Sequence, residues 1–206
     1  MVVVGSSEEY GLARAEDMPL DEDQPFRPTN PYAVSKIAQD MLGLQYHLSY
    51  GLNVVRVRPF NHIGPGQSDR FVVSSMARQI ADAEAGRAEP VILVGNLRAS
   101  RDFLDVRDVV AAYTAVARES LAGQVFNVAS GIPRPVQSLL DRLLAMARIG
   151  IQVREDPSRL RPSDVPVVYG NAARLRLETG WAPVVSIDQS LADTLEDWRS
   201  RVGRAR

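Results

Sequence analysis

Asn30-Pro31-Tyr32-Ala33-Val34-Ser35-Lys36 is the stretch from which the fold can be read. Asparagine before proline marks a helix start: the residue preceding proline is pushed out of the α region, as an N-cap must be, and proline is pre-set for the first helical position. Tyr32 and Lys36 then fall four apart on one face, one turn in. A phenol ordinarily titrates near roughly 10, and a neighbouring ammonium favours the phenolate, so the pair can give and take a proton. Tyr-x-x-x-Lys alone carries little information, but Lys36 is the only lysine among 24 basic residues, and there are six tyrosines. Random placement would put a lone lysine four residues after one of them only about three times in a hundred. Arginine, forked and permanently protonated, cannot take over a tuned proton-transfer position.

Working outward, Val2 to Val4 reads as a buried parallel strand ending at Gly5-Ser6-Ser7. The acids and prolines between Ala15 and Thr29 predict a surface loop, and the helix opened by Pro31 should run to about Tyr50, stopped by Gly51. Asn53 to Arg58 is expected as a strand broken by Pro59, followed by a loop, Phe60 to Gln67, at the carboxyl end of the sheet where ligands bind in open parallel folds. Helices are predicted over about 71–85, 106–118, 135–148 and 172–178, with Arg101 to Asp105 leading into the second of them. Strands are predicted at 91–94, 124–128 and 151–154. Ser186 and Gln189 form a capping-box pattern for the last helix. This alternation predicts an α/β chain.

The formal net charge is −1, with 25 acids interspersed among the bases, so there is no electrostatic footprint for nucleic acid. No apolar run is long enough to span a bilayer, and without cysteine there is neither a disulfide framework nor thiol chemistry. The expected address is cytoplasmic. His47 and His62 are not at ligand spacing, so no metal site is expected.

Ser6, after the first strand, should share a rim with Tyr32, where its hydroxyl could polarise a carbonyl oxygen while Tyr32 delivers the proton. Of the two loop glutamates, Glu8 is the candidate general base, although adjacent loop glutamates are expected to be solvated. Asn61 and His62 lie on the ligand rim. Arg101 and Arg161 carry guanidinium forks suited to a diphosphate.

Together these segments resemble the extended short-chain dehydrogenase/reductase family acting on nucleotide sugars. The matching runs are Ser6-Ser7-Glu8-Glu9-Tyr10-Gly11, Asn30-Pro31-Tyr32 to Lys36, Arg58-Pro59-Phe60-Asn61 with Gly64-Pro65-Gly66, Arg101-Asp102-Phe103 with Asp108, Asn127 to Gly131, and Arg161-Pro162-Ser163-Asp164 ahead of Gly180-Trp181. The resemblance implies a catalytic triad of Ser6, Tyr32 and Lys36, with Glu8 beside it. Cofactor NADP or NAD would be contacted by Tyr32, Lys36, Pro59 and His62. The substrate would be contacted by Ser7, Asn61, Arg101 and Arg161, with Asp164 on the nucleoside ribose.

The fold implied is the C-terminal part of a Rossmann-type parallel sheet plus a small α/β substrate domain. Residues 1–65 would be a partial Rossmann domain and 66–206 mainly the substrate domain, with segments about 100–130 returning to the sheet. The run Pro59 to Gln67 is most similar to members that reduce the 4-keto group of GDP-4-keto-6-deoxy-mannose to GDP-rhamnose. Dehydration of GDP-mannose is the alternative within the family, although Ser74 and Ser75 stand where dehydratases carry an arginine- and lysine-bearing segment. Another epimerase or dehydratase reaction is a further alternative, and a non-catalytic remnant that binds a sugar nucleotide is one from outside enzymology.

The family begins with a Gly-rich strand-turn-helix that cradles the cofactor pyrophosphate, followed by further βα units, roughly 90 residues for three units. None of these is in this sequence, so the chain by itself is expected to hold cofactor weakly and turn over little. Family dimers pair the helix bearing Tyr32 with the helix before Ser6. The latter lies outside the sequence, which leaves a homodimer open.

Overall fold

The computed structural model describes residues 1–159 and 165–204. The chain divides into two compact units: Met1–His62, Arg101–Pro133 and Val167–Val184 form the first, and Ile63–Ser100, Arg134–Pro166 and Val185–Arg206 the second.

In the first unit, β1 (Val2–Val4), β2 (Val55–Pro59) and β6 (Val125–Val128) make a parallel sheet of order β1-β2-β6, with Val3 opposite Arg56 and Val57 opposite Phe126. Strands β3 (Asn61–Ile63), β7 (Pro133–Pro135) and β9 (Val167–Val168) all pair with β5 (Ser100–Asp105). Two differences from the sequence expectation follow. Pro59 ends β2 rather than breaking it, because the ladder to β6 continues through Phe60, whose N–H donates to Val128 O at 2.9 Å. Asn61 to Ile63, and Ser100 to Asp105, are strands rather than loop.

Helix α1 (Pro31–Tyr50) begins and ends as its caps dictate. Asn30 accepts from Ala33 N at 2.8 Å, Pro31 opens the first turn, and Gly51 closes the helix in the left-handed region at φ 65°. Helices α3 (Val106–Val116) and α5 (Ala173–Thr179) complete this unit. Strand alternation sorts the side chains of Val55-Arg56-Val57-Arg58. The valines enter a core with Tyr10, Leu104, Phe126 and Leu175, while both arginines reach Asp40 of α1. Full burial of each such apolar side chain contributes about 1.5–3 kcal/mol. Gly43 lets α1 approach the sheet: a Cβ there would lie 3.1 Å from Val3 Cγ2 and 3.3 Å from Val54 Cγ1.

The acidic segment before α1 is not simply a surface loop. Leu20 is buried, its N–H donating to Tyr169 O and its carbonyl accepting from Asn171 N, and Glu22 is buried as well.

The second unit packs α2 (Val72–Glu84), α4 (Val136–Ala145) and α6 (Ile187–Arg204) with the parallel pair β4 (Val91–Val94) and β8 (Gln152–Glu155). Ile80, Ile92, Leu139, Leu143, Leu191 and Leu195 are fully buried there. Ser186 Oγ accepts from Gln189 N at 3.1 Å, so the capping serine of α6 acts as its sequence pattern implies.

Candidate active site

Three elements of the first unit meet at the carboxyl end of β1. The strand stops at Gly5, whose N–H donates to Val57 O, and a short 3-10 turn, Ser7–Glu9, follows. Ser6 caps that turn: its Oγ accepts from Glu8 N at 3.2 Å, while its own N–H donates to Glu9 Oε1 at 2.7 Å. Glu8 points outward and accepts from Asn30 Nδ2 at 3.2 Å, which ties the serine turn to the start of α1.

Tyr32 and Lys36 lie one helical turn apart, with Lys36 Nζ 5.8 Å from the Tyr32 ring centroid. Nζ donates to Val4 O at 2.9 Å and to Gln39 Oε1 at 3.0 Å. An ammonium has three donors, so one remains for a further acceptor. Tyr32 is 54% exposed, and its hydroxyl makes no hydrogen bond among the described residues. A proton donor open to solvent thus stands beside an ammonium anchored two residues before Ser6.

Beneath this rim is a buried charged cluster. Asp40, one turn beyond Lys36 on α1, accepts from Arg56 Nη1 at 2.7 Å and from Arg58 Nε at 3.0 Å. Arg58 Nε also lies 3.2 Å from Glu9 Oε2, and Arg58 Nη1 donates to Tyr10 Oη at 3.2 Å and to Glu22 O at 3.0 Å. Tyr10 in turn donates to Asn127 Oδ1 at 2.6 Å. Burial pushes the Tyr10 phenol up to about 12. Burial, then the negative charge of Asp40, push Glu9 up to about 7, against the opposing pull of the Ser6 N–H and Arg58.

The expectation that Glu9 is solvated is therefore wrong; its side chain is fully buried. Strand alternation aims Arg56 and Arg58 at α1, and this provides charged partners that a loop glutamate otherwise finds only in water. The Ser6-x-x-Glu9 spacing of a capping box was the available signal.

Pro59 is buried at the end of β2, and Asn61 and His62 follow it half-buried, with His62 Nδ1 3.1 Å from Phe60 O. Ser7 and Arg101 are also half-buried. Asp102, next to Arg101, is a buried clamp. It accepts from Ser130 N and Gly131 N at 2.9 Å each, from Ser130 Oγ at 2.6 Å and from Gly170 N at 3.2 Å. Sequence reasoning did not single out Asp102. Arg161 and Asp164 lie outside the described residues. Among the described residues no helix is long and apolar enough to cross a membrane.

A parallel α/β sheet with a tyrosine and lysine one turn apart on the helix after its first strand, and a serine at that strand's end, defines a Rossmann-type short-chain dehydrogenase/reductase of the extended class. The profile of the family described as GDP-mannose 4,6 dehydratase matches residues 1–194, and the chain belongs to that family. It is 43% identical over 199 residues to the GDP-6-deoxy-D-mannose reductase of Pseudomonas aeruginosa, a match covering 97% of this chain and 66% of that protein. It is 26% identical to a GDP-mannose 4,6-dehydratase of Vibrio cholerae, over 91% of this chain and 57% of the relative. The solved structure of RMD from Pseudomonas aeruginosa, complexed with NADPH, superposes with a TM-score of 0.91 at 41% identity, covering 97% of this chain and 66% of that one. The chain thus spans a little under two thirds of the relatives it matches.

Proposed function

We propose that this chain carries the catalytic rim of an NAD(P)H-dependent reductase that converts the 4-keto group of GDP-4-keto-6-deoxy-mannose to the alcohol, giving GDP-rhamnose. The observation that carries the reading is the Tyr32–Lys36 pair, held to the end of β1 by the Lys36–Val4 bond beside Ser6.

The residues present fit the nicotinamide end of a dinucleotide: Lys36 has one donor left for a ribose hydroxyl, and the Tyr32 hydroxyl is unengaged. When bound, the reduced cofactor supplies a hydride to C4 of the sugar. Tyr32 gives its proton to the ketone oxygen as that oxygen gains negative charge, and the Lys36 ammonium stabilises the phenolate left behind. Ser6 Oγ donates to the same oxygen and orients it. Pro59 and His62 border the cofactor; Ser7, Asn61, Arg101, Arg161 and Asp164 are assigned to the nucleotide sugar. Residues 1–65 are assigned to the partial Rossmann domain and 66–206 mainly to the substrate domain, with segments about 100–130 returning to the sheet; Val167–Val184, which belongs to the first compact unit, is assigned with them.

Reduction is favoured over dehydration by the 43% identity to the reductase against 26% to the dehydratase. Ser74 also fits this reading: it is engaged within the second unit, donating to Gln67 O and accepting from Trp198 Nε1. A homodimer through α1 is supported by an exposed apolar stripe of Val34, Leu42, Tyr46 and Tyr50. The reaction is assigned to the cytoplasm, where charged sugar nucleotides and reduced dinucleotides are available together.

The test is consumption of NADPH on adding GDP-4-keto-6-deoxy-mannose, with the product identified by mass. Tyr32→Phe should lower the rate at least about a hundredfold. A measurable rate that is equal in the two proteins, or turnover of GDP-mannose without consumption of reductant, would refute the assignment.

A further inference from the structure

Glu9 has no part in the chemistry described above, yet it is among the most deeply buried side chains of the first unit, and the local sequence is shaped to admit it. Gly5 leaves the space: a Cβ there would lie 2.2 Å from Glu9 Oε1. The carboxylate faces two ways. Oε1 accepts from Ser6 N at 2.7 Å, and Oε2 meets Arg58 Nε at 3.2 Å, the nitrogen that also donates to Asp40 at 3.0 Å. Asp40 stands on α1 at the positions Tyr32, Lys36, Asp40, each four residues after the last. A continuous buried path therefore runs from the backbone of Ser6 through Glu9, Arg58 and Asp40 to the helix bearing Tyr32 and Lys36.

We infer that Glu9 is the positioning residue of Ser6, locking the serine turn through Arg58 and Asp40 to the helix that presents Tyr32 and Lys36. This rests on the reductase reading for its catalytic consequence, but not for its structural one. Ser6 and Tyr32 come from different elements and must address one oxygen, and a misplacement of about 1 Å at such a site costs up to about a hundredfold in rate. Among the described residues, further ties between the elements include the exposed Glu8–Asn30 contact and the Lys36–Val4 bond. Among these ties the Glu9 path is the one fully withdrawn from water: a buried hydrogen bond from Ser6 N to Oε1 and an ion-pair contact, not a hydrogen bond, from Oε2 to Arg58 Nε.

The lock has two protonation states. Neutral Glu9 still accepts from Ser6 N and can donate to Asp40; ionised Glu9 pairs with Arg58 and is repelled by Asp40. The charged and titratable groups facing it are Asp40 from α1 and Arg58 from β2, with the Ser6 N–H from its own turn, and its carboxyl is pushed up to about 7. The lock therefore changes state near neutrality.

Two measurements on the purified chain test this. In amide proton–nitrogen spectra recorded across neutral pH, Ser6 N–H should titrate with a midpoint of about 7. That titration should vanish in Glu9→Gln and move to lower pH in Asp40→Asn, where the like charge is gone. In ketone reduction, Glu9→Leu, which strands Ser6 N–H, should lower kcat about tenfold with KM for the sugar nucleotide within about twofold. Glu9→Gln, which keeps an acceptor, should restore most of that loss and remove the step near neutrality from the pH profile.

A Ser6 amide that does not titrate, or one that still titrates in Glu9→Gln, overturns the inference, and so does full kcat in Glu9→Leu. If Glu9→Leu does not fold, the glutamine and Asp40→Asn titrations decide. If ketone reduction by the unaltered chain is too slow to measure, as its expected weak hold on cofactor implies, the kinetic arm falls away and the amide titration judges the lock by itself.

Discussion

Replacing Asp102 with asparagine should be among the most destabilising single-atom changes in the first unit. The carboxylate accepts four hydrogen bonds, three from the backbone N–H groups of Ser130, Gly131 and Gly170 and one from the Ser130 hydroxyl, in a site with 1% exposure. Asparagine keeps one acceptor oxygen, which can serve Ser130, where Oδ1 receives both bonds. Its amide nitrogen would then face Gly131 N and Gly170 N, two donors with no acceptor. A stranded buried donor costs about 1–3 kcal/mol, so two cost about 2–6 kcal/mol before the loss of charge assistance is added. The total unfolding free energy of a domain is only about 5–15 kcal/mol. Urea unfolding at neutral pH should show the midpoint falling by a large fraction with little change in the m value. Ser130→Ala, which removes one donor and leaves Ile132 N without its Ser130 Oγ acceptor, should cost only about 1 kcal/mol. A loss below about 1 kcal/mol for Asp102→Asn would refute the reasoning, since it would mean the two glycine amides are satisfied elsewhere.

Tyr32→Phe should leave unfolding free energy within about 0.5 kcal/mol of the parent, because the hydroxyl it removes holds nothing among the described residues; urea titration alongside the activity assay separates the two effects. Glu9 contributes a pH dependence of defined sign. Its folded pKa is raised from 4.5 to about 7, so its contribution to stability is complete below the unfolded value and is lost as pH rises through the folded one. Glu9→Gln should therefore gain stability relative to the parent near pH 8, by up to about 3 kcal/mol, and much less near pH 5, as measured by unfolding at both. Gly123→Ala should lower the melting temperature, since Gly123 holds φ 83° and an added Cβ would lie 2.4 Å from His47 Nε2; a cost of about 2 kcal/mol is expected.

The local instructions in this chain were readable wherever a few neighbouring residues decide the outcome. Asn30-Pro31 and Gly51 bound α1 as capping chemistry requires, and the four-residue spacing places Lys36 against Tyr32. That Ser6 lies by the start of α1 followed from the rule that βα loops share one rim. What could not be read was the burial of charge. Whether Glu9 faces solvent depends on Arg58 and Asp40, which are 49 and 31 residues away and reach it only once β2 and α1 have packed. The same holds for Asp102, whose partners Ser130, Gly131 and Gly170 come from two later segments. Pro59 misled locally because its effect on a strand depends on which neighbour supplies the next hydrogen bond.

The bonding of Lys36 has a practical consequence. Its Nζ is the one side-chain amine in the protein, and it is fastened to Val4 O at the foot of the Ser6 turn. Reductive methylation with carbon-13 formaldehyde would install a single side-chain reporter at that spot without any mutation. Because dimethylation leaves Nζ one N–H for the two bonds it now makes, the resonance would report how much of the Val4 and Gln39 anchoring survives that loss.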